Sequence, residues 1–108
     1  MGVGAYADAC AGRESMRLTH LTLALEGERE RFLGSFAEAI RSASLSHGLI
    51  EHVTVHDRGP GALPVIGVFT LHSSGRRAEE DLAALCRLLI RRDTRFGAGR
   101  LVDVRCVL

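Results

Sequence analysis

Residues 49–72, LIEHVTVHDRGPGALPVIGVFTLH, decide the topology of the chain. Leu49 to Asp57 is β-branched and alternating, Arg58-Gly59-Pro60-Gly61 is a strong turn signal, and Leu63 to Leu71 is apolar and β-rich again. Two such runs joined by a turn predict a hairpin. What lies on either side of the hairpin then fixes the architecture.

Upstream, Glu28 opens a stretch in which Phe32, Leu33, Phe36, Ile40 and Ala43 recur at helical spacing, with Gly48 placed to end it. This predicts a first helix over residues 28–46. Before it, in RLTHLTLAL (17–25), Leu21, Leu23 and Leu25 alternate with His20, Thr22 and Ala24, the period of a half-buried strand. Downstream, Ser74 is the expected N-cap of a second helix, whose Ala78, Leu82, Leu85, Cys86 and Leu89 line one face up to Thr94. Arg91, Arg92 and Arg95 complement its C-terminal dipole. Gly97-Ala98-Gly99 then turns the chain into a last strand, Arg100 to Leu108.

The order βαββαβ predicts an α+β domain of the ferredoxin-like plait type, a four-stranded antiparallel sheet with two helices on one face. At the level of element order it resembles the dimeric α/β-barrel monooxygenases and the ACT regulatory domains. Glu26-Gly27-Glu28 stands loosely where an ACT domain has its glycine-centred turn, and the aromatic residues common in the monooxygenases are scarce. The resemblance assigns no functional residue, since fold analogy alone carries little about function. Residues 1–15 are rich in Gly and Ala without periodicity and read as a flexible N-terminal tail, with Met16 as an alternative start. Residues 16–108 then form a single domain, in keeping with 108 residues at 46% hydrophobic and 25% charged.

Composition excludes several chemistries. The chain has no Lys, Asn, Gln or Trp, so a Schiff-base lysine, a P-loop lysine and a side-chain amide oxyanion donor are all missing. No cofactor motif is present: Gly2 and Gly4 follow no strand and lack the third glycine of a dinucleotide fingerprint. A net charge of +1 supplies no strong field, and Tyr6, Phe32, Phe36, Phe69 and Phe96 are few for base stacking, so nucleic acid is not an expected partner. Nor is a membrane, because no run has the length of a bilayer span. The opening MGVGAYADACAGRES lacks a basic n-region and a continuous apolar stretch, and Tyr6 stands where myristoylation needs Ser or Thr. Cys10, Cys86 and Cys106 are odd in number and widely spaced, which suggests neither a disulfide framework nor a zinc ribbon and fits a reducing cytoplasm.

Strand alternation sorts the histidines. With Leu21, Leu23, Leu25, Val53, Val55, Val102 and Val104 facing the helices, the opposite face carries His20, Thr22, Ile50, His52, Thr54, His56, Asp103 and Arg105. With Val65, Phe69 and Leu71 in the core, Ile66, Val68, Thr70 and His72 join that opposite face. Four histidines would then share a face that is neither core nor ordinary solvent surface. A second copy or a ligand is the expected cover, so the chain is expected to be a homodimer.

His52 and His56 are four strand steps apart, about 13 Å, too far for one ion; a cross-strand pair such as His20 with His52 is geometrically possible, but no acidic residue has matching spacing, so no metal site is expected. Ser73 and Ser74 beside His72 are not a triad, because neighbours on an extended chain point apart and no G-x-S-x-G elbow surrounds them. Cys86 and Cys106 read as packing residues. Arg76 and Arg77 are less ordinary, since positive charge at a helix N-terminus opposes the macrodipole. With Ser73 and Ser74 they make a candidate seat for a small anion, and Glu79 and Glu80 are the competing partners.

These residues lead to a small cytoplasmic homodimeric module that binds a small anionic or amphipathic ligand, or a protein partner. Its expected ligand-binding residues are Ser73, Ser74, Arg76, Arg77, His52 and His56. The alternative is a small cofactor-independent enzyme, of oxygenase, isomerase or cyclase type, with His20, His52 or His72 as acid-base group.

Overall fold

The computed structural model describes residues 14–108. The elements are β1 (Ser15–Ala24), α1 (Arg29–Arg41), β2 (Leu49–His56), β3 (Val65–His72), α2 (Gly75–Arg92), a short 3-10 turn (Thr94–Phe96) and β4 (Arg100–Cys106). The strands form one antiparallel sheet in the order β2-β3-β1-β4. β3 therefore lies between β1 and β2, and β1 lies between β3 and β4. The expected N-terminal tail lies outside the described residues except for Glu14 and Ser15, and Ser15 already pairs with His72 as the first residue of β1. Among the described residues no helix is long and apolar enough to cross a membrane.

Both helices bury into one core with the same sheet face. Phe32, Leu33, Phe36, Ala37 and Ile40 of α1 and Leu82, Leu85 and Cys86 of α2 meet Leu21, Leu23, Val53, Ile66 and Val68. Phe36 is the centre of an aromatic group, stacked on Phe32 at 5.4 Å and edge-on to Phe96 at 4.9 Å. Truncating such a fully enclosed ring to Ala costs about 3–5 kcal/mol.

The sheet corrects the sequence reading of β3. Leu21 lies opposite Ile66 and Thr19 opposite Val68, so Ile66, Val68, Thr70 and His72 face the helices, and all four are buried. Val65, Gly67, Phe69 and Leu71 face the other way. The run VIGVFTLH is apolar on both parities, so its period could not choose a face, and a one-residue slip inverts every side chain. Ile50 is also moved: a bulge between Ile50 and His52 turns it to the helix side, where it packs on the core. A second irregularity, where Thr22 pairs with Asp103 but Leu23 with Leu101, leaves Val102 exposed beside α2 and outside the core.

The first helix is shorter than its periodicity predicts. It stops at Arg41, and the serine-rich segment after it is drawn toward α2, where the Asp81 carboxylate accepts the backbone N–H of Ser46 at 3.2 Å and of His47 at 2.9 Å. Gly48 does not cap the helix. A Cβ there would stand 2.5 Å from both His72 Nε2 and the Leu71 carbonyl, so Gly48 is the close-approach point of this loop over the buried histidine.

Candidate functional site

On the face turned away from the helices the register lines side chains up in rows. His56, Val65, Thr22 and Asp103 make one row, and Thr54, Gly67, His20 and Arg105 the next. Gly67 contributes no side chain, so its neighbours close over it, and His20 from β1 and His56 from β2 reach across β3 until their rings are 6.2 Å apart. A Cβ at Gly67 would meet Thr54 Oγ1 at 2.7 Å, Leu18 Cδ1 at 3.4 Å and His56 Nε2 at 3.5 Å.

Thr54 orients His56. Its hydroxyl donates to the Gly67 carbonyl at 3.3 Å and therefore accepts from His56 Nε2–H at 3.0 Å, which leaves Nδ1 of that ring as the nitrogen free to meet another group. Beside the imidazoles is a cleft of about 350 Å³ lined by His20, His56, Arg58, Ala62, Leu63 and Val65. Its loop wall is held by Arg29 of α1, which donates to the Gly59 carbonyl at 3.0 Å and to the Ala62 carbonyl, with Nε 3.4 Å from the Asp57 carboxylate. The cleft thus joins two imidazoles and a guanidinium to an apolar wall, with no carboxylate among its lining residues.

The other face of β3 carries a buried network. His72, fully buried, meets Thr70 Oγ1 at 2.6 Å through Nδ1 and Asp81 Oδ2 at 2.9 Å through Nε2. Burial pushes the Asp81 carboxyl up, but the hydrogen bonds from His72 and from the His47 and Ser46 amides outweigh it and hold the group below its ordinary value. His72 Nε2–H thus donates to the carboxylate, and Thr70 donates to Nδ1. The chain of hydroxyl, imidazole and carboxylate is that of a nucleophilic triad, yet both Thr70 and His72 are wholly enclosed, so it staples α2 and the 42–48 segment to the sheet.

The expected site residues therefore separate. Three of the five histidines share the open face: His20, His56 and, on the next row, His52, whose ring is 6.0 Å from Phe69. His72, expected among them, is on the helix side. Ser73, Ser74, Arg76 and Arg77 sit beyond the far end of β3 from the cleft, seven strand steps or about 23 Å away. Ser74 Oγ accepts Arg77 N–H at 3.1 Å as a cap, the Ser73 carbonyl accepts from Arg17 at 3.3 Å, and Arg76 pairs with Glu80 at 3.3 Å. Glu79 accepts the Cys106 amide at 2.8 Å. Burial pushes the Cys86 thiol up to about 12, so it packs and does not react.

Sequence reasoning missed Arg58, read only as part of a turn, and Asp81. The Asp81 signal was present: it stands three residues after Ala78 and four before Leu85, on the stripe the helix buries, where a carboxylate needs partners. Among the described residues no group of three or more His, Cys, Asp and Glu side chains could hold a metal ion. Comparison of the chain with family models, with curated proteins and with solved structures finds no match.

Proposed function

We propose that the protein is a small binding module that holds an anionic ligand on the open face of its sheet. One observation carries this reading: His20, His56 and Arg58 converge on a cleft whose remaining walls, Ala62, Leu63 and Val65, are apolar. Such a site offers positive charge and hydrogen-bond donors to an acidic group, together with surface that favours an apolar neighbour. The cleft lining has no hydroxyl, thiol or carboxylate to serve as nucleophile, which favours binding over covalent turnover. The enzyme alternative keeps one point in its favour, the Thr54 contact that fixes the His56 tautomer. The cleft, and not the N-terminus of α2, is the proposed seat, because Ser74 and Arg76 already have partners within the helix.

Three further parts belong to this reading. A ferredoxin-like plait is supported by the interlocked units β1-α1-β2 and β3-α2-β4, each with a strand of the other between its own two, and by the order β4-β1-β3-β2 read from the opposite edge. A homodimer is supported by the exposed Met16 and Leu49 at the end of the open face beyond Phe69. A cytoplasmic location is supported by the unpaired thiols of Cys86 and Cys106.

Histidine side-chain NMR tests the ligand site. Titration with acetate or inorganic phosphate is expected to shift the His20 and His56 imidazole signals to saturation, leave His72 unmoved, and fail in Arg58→Ala. Unmoved His20 and His56 signals would remove the reading.

A further inference from the structure

The open face is graded from one end to the other. Its first two rows hold His56, His20, Thr54, Thr22, Asp103 and Arg105, while the next two hold Phe69 with Leu18 and then Leu49, Leu71 and Met16. His52 is the one polar member of these two rows on the three paired strands, and it lies at the sheet edge beside Phe69. Each row is about 7 Å from the next, so the apolar rows run about 14 Å along the strands beyond the imidazoles. Gly67 marks the boundary between the two halves, where Thr54, Leu18 and His56 close over the backbone and bring Leu18 of the apolar rows next to the His56 ring.

From this gradient we propose that the ligand is a single-headed amphiphile, with an acidic head between His20, His56 and Arg58 and an unbranched or flat apolar tail over Leu18, Phe69 and Leu71. The proposal rests on the binding reading above and adds the ligand class to it. Charge complementarity fixes the direction. Arg58, His20 and His56 surround the head position, while the acids nearby already have cationic partners: Asp57 lies 3.4 Å from Arg29, and Asp103, on the strand beside His20, lies 3.8 Å from Arg105. A doubly charged ligand without a tail would leave the apolar rows uncovered, and an uncharged lipid would leave the guanidinium and imidazoles without a partner. The tail supplies affinity through the apolar area it shares with Leu18, Phe69 and Leu71, while the head supplies orientation.

Calorimetry with four probes separates the claims: acetate, inorganic phosphate, decanoate and monodecyl phosphate, the last two below their micelle concentrations. Decanoate is expected to bind at least about tenfold more tightly than acetate, since each methylene buried adds a severalfold gain. Phe69→Asp and, independently, Leu18→Asn are expected to cancel that gain while leaving the acetate constant and the His20 and His56 NMR shifts in place. The stronger of the two decyl probes identifies the head. A decanoate constant equal to that of acetate would overturn the tail assignment and leave the anion site standing. Variants that turn a dimer into a monomer by sedimentation without changing decanoate affinity would give the apolar rows to a second copy and overturn it too. If none of the four probes shifts His20 or His56, the binding reading itself fails.

Discussion

β3 builds two histidine environments on its two faces. On the helix side His72 has a partner on each ring nitrogen, and its carboxylate partner is itself bonded to two backbone amides. On the open side His56 is held through one nitrogen by Thr54, and His20 stands beside it with the two ring centres 6.2 Å apart. Both environments pack an imidazole against a glycine, Gly48 over His72 and Gly67 beneath His56. The lesson is that partner count separates a histidine that holds the fold from one left to meet a ligand. A buried polar group must be satisfied within the chain, whereas an open one can wait for a guest.

The comparison breaks most visibly at Asp81. Asp81→Ala strands His72 and the Ser46 and His47 amides together, and is expected to cost about 3 kcal/mol of unfolding free energy in urea. His20→Ala on the other face is expected to cost under about 0.5 kcal/mol. Equal losses would mean that the open pair is structural too. Acid gives an independent check. The Asp81 carboxyl is depressed in the folded state, so its contribution is present above the ordinary value of 3.8 and is lost as pH falls through the lower folded value. Asp81→Asn, which cannot titrate, is expected to lose less stability than wild type across that window.

Next come the two glycines. A methyl at Gly48 meets a backbone carbonyl and the locked His72 ring, neither of which can swing aside, so Gly48→Ala is expected to cost about 2 kcal/mol. At Gly67 the nearest atom is the Thr54 hydroxyl, which can rotate away, and Ala is the better strand residue. Gly67→Ala is therefore expected to change stability by less than about 1 kcal/mol while releasing His56 and weakening anion binding. A Gly67→Ala protein that binds acetate as wild type does would detach the cleft from the packing of His56 on Gly67.

Element types were legible because each depends on local pattern: LTLAL alternates, the α1 and α2 stripes recur at helical spacing, and DRGPG can only turn. The face of β3 was not, because its sequence is apolar on both sides and only its pairing with Leu21 and Thr19 orients it. The bulges at Glu51 and Val102 have no local signature at all, and they decide where Ile50 and Val102 go. For the site, His20 and His56 were readable as members of one face by parity. Arg58 was not, since a loop residue acquires a position only when Arg29 ties the 57–62 segment to α1.

The smallest expected effect lies at the N-terminus of α2, the second place where an anion was expected. Ser74→Ala removes the acceptor of the Arg77 amide and is expected to cost about 1 kcal/mol, the usual worth of such a cap. The Arg76→Ala, Arg77→Ala double variant removes two exposed charges, one paired with Glu80, and is expected to stay within about 0.5 kcal/mol of wild type. Phosphate then sharpens the contrast with the cleft. Ligand binding raises the melting temperature with the logarithm of concentration, while surface exclusion raises it in every variant alike, so comparisons belong at equal salt. The specific part of the response is expected to vanish in Arg58→Ala and to persist in the double variant. The reverse pattern would move the anion from the open face to the helix, and would mean that two cations opposing a helix dipole are there for a guest and not merely solvated.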